Sequence, residues 1–211
     1  MHKIIIILLF VSSGFTLKAQ PPGYTPVKDL ARFKEQFTAI AKKTETIKSD
    51  FMQEKNLSML SEKIISKGKF WFKKDNLLRM EYNKPFEYLV ILNKDNMYIK
   101  DGQKENKIST RSNKLLQQIN KITVDCVQGA ILSNPDFITK VYENRNAYEV
   151  ELSPVGRALK EFFKTIIVVV DKSDYSVSSI EMVENGGDYT LIRFTNRELN
   201  TAIPDAIFAI R

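Results

Sequence analysis

Turn signals cut most of this chain at short, regular intervals, and that spacing restricts its fold more than any other feature. Lys74-Asp75-Asn76, Asn83-Lys84-Pro85, Asn93-Lys94-Asp95-Asn96 and Asp101-Gly102 punctuate the first half. Asn144-Arg145-Asn146, Ser173-Asp174 and Gly186-Gly187 punctuate the second. Between them lie strand-length segments such as FEYLVIL, AYEVELSP, VSSIEMVEN and DYTLIRFTN. Short β-rich runs joined by tight turns predict an antiparallel meander. The expected fold is α+β and mainly β: one curved antiparallel sheet of ten or eleven strands with helical pieces, and a final short strand near Phe208.

The stretch GKFWFKKDNLLRMEY, residues 68–82, shows which way these strands face. Side chains alternate across a strand, so Phe70 and Phe72 fall on one face, and Lys69, Trp71 and Lys73 on the other. On the return strand Leu78, Met80 and Tyr82 share a face, opposite Arg79 and Glu81. Both faces are apolar in FEYLVIL and in Thr165–Val170, and periodicity does not orient those two segments.

Helices interrupt the strands twice. In VKDLARFKEQFTAIAKKT, Val27, Leu30, Phe33, Phe37 and Ile40 or Ala41 recur at three- and four-residue spacing, an amphipathic helix of about four turns. Residues 105–134 break the strand rhythm. Leu115, Ile119 and Ile122, then Val127, Ile131 and Leu132, predict one or two short helices there. A large curved sheet needs its inner side filled, and these apolar stripes are the available fillers. They either close the core or leave a lined cavity beneath them.

The first residues carry Lys3, an apolar run from Ile4 to Val11 and small residues up to Ala19. That pattern predicts a secretory signal peptide over residues 1–19, with residues 20–211 as the mature domain. The run is shorter than the roughly 20 residues of a membrane span. Gln20 stands where a lipid-anchored protein needs a Cys, so the expected location is periplasmic without an anchor. About 190 residues suit a single domain.

Removing Lys3 and Lys18 from 32 cations against 25 acids leaves a net charge of +5. Export argues against a nucleic-acid partner. The chain's one histidine is His2 and its one cysteine Cys126, which removes Ser-His and Cys-His nucleophile pairs, His-containing zinc sites and thiolate clusters. No G-x-S-x-G elbow, P-loop or dinucleotide fingerprint occurs. The expectation is a non-enzyme with no catalytic residue, metal or cofactor.

Three stretches carry a resemblance. They are SDFMQ at 49–53, GKFWFKKDNL at 68–77, and residues 85–99, with weaker echoes in LSP at 152–154 and LKEFF at 159–163. In order and spacing they resemble the LolA family of periplasmic lipoprotein carriers, and the likeness runs over nearly the whole mature chain. The resemblance implies an incomplete β-barrel capped by helices, whose inner surface shields the acyl chains of lipoproteins. Such a carrier receives cargo from an inner-membrane ATP-binding-cassette transporter and passes it to an outer-membrane acceptor. A monomer is expected, because one acyl sheath needs no second subunit. The alternatives are a carrier or sensor of another lipid, a glycolipid or pigment-lipid, in the same fold.

The expected cavity wall is Phe51, Phe70, Phe72, Leu78, Met80, Tyr82, Leu89, Ile91, Met97 and Ile99. In that set Leu89 and Ile91 are taken over Tyr88, Val90 and Leu92 on the resemblance. Leu115 and Ile119 are the lid candidates. Where the best-known family members have Arg then Pro, an Arg implied to hold the lid and permit release, this chain has Lys74 then Asp75. Lys74 is either a solvated turn residue or that switch, with Arg79 the nearby substitute. Lys lacks the rigid fork of donors that Arg presents.

Overall fold

The computed structural model describes residues 20–210 apart from Asp75, Asn113 and Gln128, with the backbone alone at residues 112, 114–117, 120 and 127. The expected signal peptide and the side chain of Leu115 therefore lie outside the described residues.

In chain order the elements are β1 (Thr25–Pro26), α1 (Leu30–Lys43), β2 (Thr46–Asn56), β3 (Ile64–Lys73), β4 (Leu77–Lys84), β5 (Tyr88–Asn93), β6 (Asn96–Asp101) and β7 (Lys104–Ser109). Then come α2 (Lys114–Val127), a 3-10 turn at Ala130–Ser133, β8 (Phe137–Glu143), β9 (Ala147–Pro154), α3 (Arg157–Lys160), β10 (Phe163–Asp171), β11 (Val177–Glu184), β12 (Tyr189–Leu199) and a 3-10 turn at Asp205–Phe208. The strands form one open sheet in the order β1-β8-β9-β10-β11-β12-β2-β3-β4-β5-β6-β7, antiparallel throughout. Two meanders, β2 to β7 and β8 to β12, are thus stitched together by the β12–β2 pair.

This is the open, helix-capped sheet expected, with twelve strands instead of ten or eleven. The expected strand near Phe208 is instead a 3-10 turn. β7, KENKIS, falls in the stretch read as breaking the strand rhythm. It is an edge strand exposed on both faces, so no apolar alternation marks it.

α1 begins where Asp29 accepts the Arg32 N–H at 2.9 Å, a side-chain cap for an otherwise orphaned donor. Its stripe buries Phe33, Phe37 and Ala41, while Leu30 stays 42% exposed. The approach of α1 to the loop after α2 explains Gly129. Its φ is +71°, and a Cβ there would lie 2.8 Å from that of Ala41.

The main core forms where α1, α2 and the 131–132 turn lie on β8 to β11. It contains Phe33, Phe37, Ile122, Cys126, Ile131, Val150, Leu152, Ile166, Val168 and Val170, all almost fully buried. Ile166, Val168 and Val170 are the inward residues of the segment that periodicity left unoriented. Burial pushes the Cys126 thiol well above its ordinary pKa, as expected of a small hydrophobe rather than a nucleophile.

Candidate functional site

On neighbouring antiparallel strands, residues directly opposite each other share a face. From β2 to β6 the register therefore defines the inner surface row by row. One row is Ile47, Phe72, Leu78, Leu92 and Met97; the next is Ser49, Phe70, Met80, Val90 and Ile99; a third is Phe51, Gly68, Tyr82 and Tyr88. β12 adds Phe194 opposite Phe51, and Ile192 opposite Gln53.

Eight of the ten wall residues expected from sequence share this surface: Phe51, Phe70, Phe72, Leu78, Met80, Tyr82, Met97 and Ile99. Leu89 and Ile91 do not, and their placement is corrected. Leu89 pairs with Glu81 and Lys100, and Ile91 with Arg79 and Tyr98, all on the outer face. Ile91 is still buried, because the C-terminal segment crosses that outer face. The segment is fixed by Arg79 donating to the Ile207 carbonyl at 3.0 Å and Asn93 to that of Phe208 at 3.1 Å. An outer face covered by a tail reads as apolar on both sides, which is why alternation failed there.

The inner surface of this half is unevenly covered. Phe51, Phe70 and Phe72 are buried, whereas Leu78, Met80, Tyr82, Val90 and Ile99 are half-buried. Gly68 makes the packing possible, since a Cβ there would lie 2.0 Å from the Glu81 carbonyl oxygen and 2.8 Å from the Phe51 ring. Over it Phe51 meets Tyr82 edge to face at 4.9 Å, and the Tyr82 hydroxyl donates to Gln53 at 3.0 Å. Burial, with some help from Tyr88, raises the Tyr82 pKa to about 12, so it remains a neutral donor.

Two spaces adjoin this surface. A crevice of about 50 Å³ lies between Ile40 and Ala41 of α1, with Thr44 at its C-terminal cap, and Ile47, Phe70 and Phe194 of the sheet. That is room for a few waters, not for an acyl chain. A wider opening of about 410 Å³ lies at one end of the sheet, among Lys55, Ile119, Phe162, Phe163, Met182 and Thr190. Ile119, a lid candidate, packs against the main core and edges this opening. Val90, Leu92, Ile192, Phe194 and Met182 were not singled out from the sequence. Two-residue spacing in VSSIEMVE and YTLIRF was a usable signal for the last three.

Lys74 does not dangle in solvent. Its ammonium donates to the Lys42 carbonyl at 2.7 Å and pairs with Glu45, so the β3–β4 turn grips the C-terminal end of α1. Arg79 lies on the outer face, bonded to Glu81 at 2.7 Å and stacked over Trp71 at 5.8 Å; it does not reach the helices. Among the described residues no cluster of His, Cys, Asp and Glu could hold a metal, and no helix is long and apolar enough to cross a membrane.

Solved structures share this architecture at low sequence identity. A LolA superfamily protein from Nitrosomonas europaea aligns over 85% of this chain and 96% of its own, at 10% identity and TM-score 0.46. An uncharacterized conserved protein from Thermus thermophilus aligns over 82% and 91%, at 8% identity and TM-score 0.50. MucB aligns over 86% of this chain but 62% of its own, at 14% identity and TM-score 0.50. No curated protein matches in sequence. The family model described as outer membrane lipoprotein carrier protein LolA matches residues 42–211, and the chain therefore belongs to the LolA family.

Proposed function

We propose that this chain carries acylated lipoproteins across the periplasm, taking them from an inner-membrane ATP-binding-cassette transporter to an outer-membrane acceptor. Residues 1–19 would direct export, and residues 20–211 would act as a soluble monomer without a lipid anchor. One observation carries the reading: a contiguous inner surface of large, adaptable side chains, Leu78, Met80, Tyr82, Val90 and Ile99, is only partly buried.

The physical logic is that of a sheath that opens. Each buried CH₂ is worth about 0.8 kcal/mol, so several acyl chains do not cross water unshielded at a useful rate. With a crevice of about 50 Å³, chains enter only when α1 and α2 lift off the sheet. The helices reclaim those contacts when the site empties, which offsets part of the affinity and permits release. Met80 and Met97 suit a wall that must repack. No bond is made or broken, so no catalytic group is needed.

The test is acyl-probe binding by native protein and by Met80→Asp and Phe70→Lys, with circular dichroism to confirm folding. Both folded variants should lose binding, and binding that survived both would refute the wall. Mass spectrometry of lipid extracted from protein purified out of its native periplasm should find triacylated protein. Finding a glycolipid or pigment-lipid instead would move the cargo assignment while leaving the cavity in place.

A further inference from the structure

Apart from Leu30, which starts α1 near Glu143, the large apolar side chains most exposed among the described residues lie at one end of this molecule. Met59, Leu60, Ile64 and Ile65 form the tip of the β2–β3 hairpin, with Met59 85% exposed, and Phe86, 79% exposed, tips the neighbouring β4–β5 turn. Across the sheet, the row Ile64, Lys55, Thr190, Met182, Ile166, Leu152 and Thr139 leads to exposed Ile138 at the same end. The turns at the opposite end hold Lys74, Asn76, Lys94, Asp95, Asn144 to Asn146, Lys172 to Asp174, and Asn200. The β6–β7 and β11–β12 turns of the tip end are polar, so the exposed apolar groups gather at the β2–β3 and β4–β5 tips and the start of β8 within it.

We infer that this end inserts shallowly into a phospholipid bilayer, so that the acyl site exchanges cargo with the membrane while its opening is pressed against the lipid surface. The shape suits that occupant. Pairing of β3 with β4 stops at Lys67 and Lys84, whereas β2 and β3 pair on to Lys55 and Ile64. The hairpin thus stands three residues, about 10 Å, beyond β4, and that reach matches the head-group layer into which apolar protein faces sink by about 5–10 Å. A projecting tip is poorly made for a second copy of the chain, which needs about 800 Å² of complementary surface per partner.

The charges suit it as well. Lys55, Lys67 and Lys84 stand around the tip and form no salt bridge among the described residues; the acids beside them are Glu62, Glu87 and Asp188, which accepts the Ser58 N–H at 2.7 Å, while Glu54 is paired with Lys63. Lysines behind an apolar tip reach lipid phosphates with their ammonium groups while their stems stay in the interface. Lys55 also edges the 410 Å³ opening, together with Glu161 and Glu184, so the tip and this opening lie side by side at the same end. The inference rests on the carrier reading for its purpose, but membrane contact is measurable without it.

Sedimentation of residues 20–211 with phosphatidylethanolamine–phosphatidylglycerol vesicles is the test. Native protein should sediment with them. Phe86→Ser, and separately the pair Met59→Ser with Leu60→Ser, should lower partitioning about tenfold each, while Lys94→Ser at the far end leaves it unchanged. These side chains are exposed, so folding should persist, as checked by circular dichroism. Native protein that ignored vesicles, variants that bound them equally, or a tip that only drove self-association would each overturn the inference. Acyl-probe binding measured alongside should be equal in native protein and variants. Its absence in the native protein would fail the carrier reading by itself and leave the vesicle result standing.

Discussion

The Lys74 ammonium lies 2.7 Å from the Lys42 carbonyl oxygen and also meets the Glu45 carboxylate, so one side chain ties the β3–β4 turn to the end of the helix that covers the inner surface. Helix ends leave carbonyls unpaired, and a lysine there satisfies one of them. On the proposed opening of the sheath, this contact would be broken as α1 lifts.

Lys74→Met should therefore favour the open form. Acyl-probe affinity is expected to rise about two- to fivefold, because less closing free energy opposes binding. Stability should fall by less than about 1 kcal/mol, as for a partly exposed ion pair. Titration of the probe and urea denaturation read the two effects separately, and unchanged or weakened probe affinity would remove Lys74 from the latch.

Neighbouring residues of β5 should divide by face. Ile91→Ala removes a buried outer-face side chain and should cost about 2–5 kcal/mol, with probe affinity in the folded protein unchanged. Val90→Lys should leave more of the stability and abolish probe binding. The reverse result would show that the acyl surface is the outer one.

Ser49 lies on the inner face with its hydroxyl buried and without a hydrogen-bond partner among the described residues. A buried hydroxyl without a partner is costly, so Ser49→Ala should be neutral or stabilising by up to about 1 kcal/mol. Thermal melting checks this, and a clear loss of stability would reveal a partner supplied by water or by the neighbouring rows.

Glu143 receives Lys172 at 2.6 Å and the Lys28 N–H at 2.9 Å, and the Lys172 bond, then the Lys28 bond, hold its pKa below the ordinary carboxylate value. A depressed carboxylate stabilises the fold above its unfolded pKa of about 4.3 and ceases to as pH falls through the lower folded value. Urea midpoints should therefore drop more steeply for native protein than for Glu143→Gln between about pH 5 and pH 3, and the two should converge in stronger acid. Parallel curves would show that Glu143 is not what ties the leader of α1 to β8.

Much of this was legible in the chain because alternation and turn chemistry act locally. Phe70, Phe72, Leu78, Met80 and Tyr82 were placed on one face by spacing alone, and the α1 stripe by its three- and four-residue repeats. What escaped depends on distant partners. Leu89 and Ile91 were taken for the inner face on the resemblance, because β5 is apolar on both faces where a tail from the far end of the chain helps bury Ile91. β7 was missed because an edge strand exposed on both faces has nothing apolar to alternate. Alternation in β11 and β12 was there to be read, but that β12 pairs with β2 and so extends the inner surface is a long-range pairing no local pattern reports. Lys74 looked like an ordinary turn residue until α1 was in place beside it.

The β12–β2 seam has a consequence for how the molecule comes into being. Residues near the beginning of the domain have no neighbour on that side until almost the last strand has been made, and pairings so remote in sequence form slowly. Until β12 docks, β2 keeps a bare edge on that side, and an unpaired edge is open to pairing with another chain.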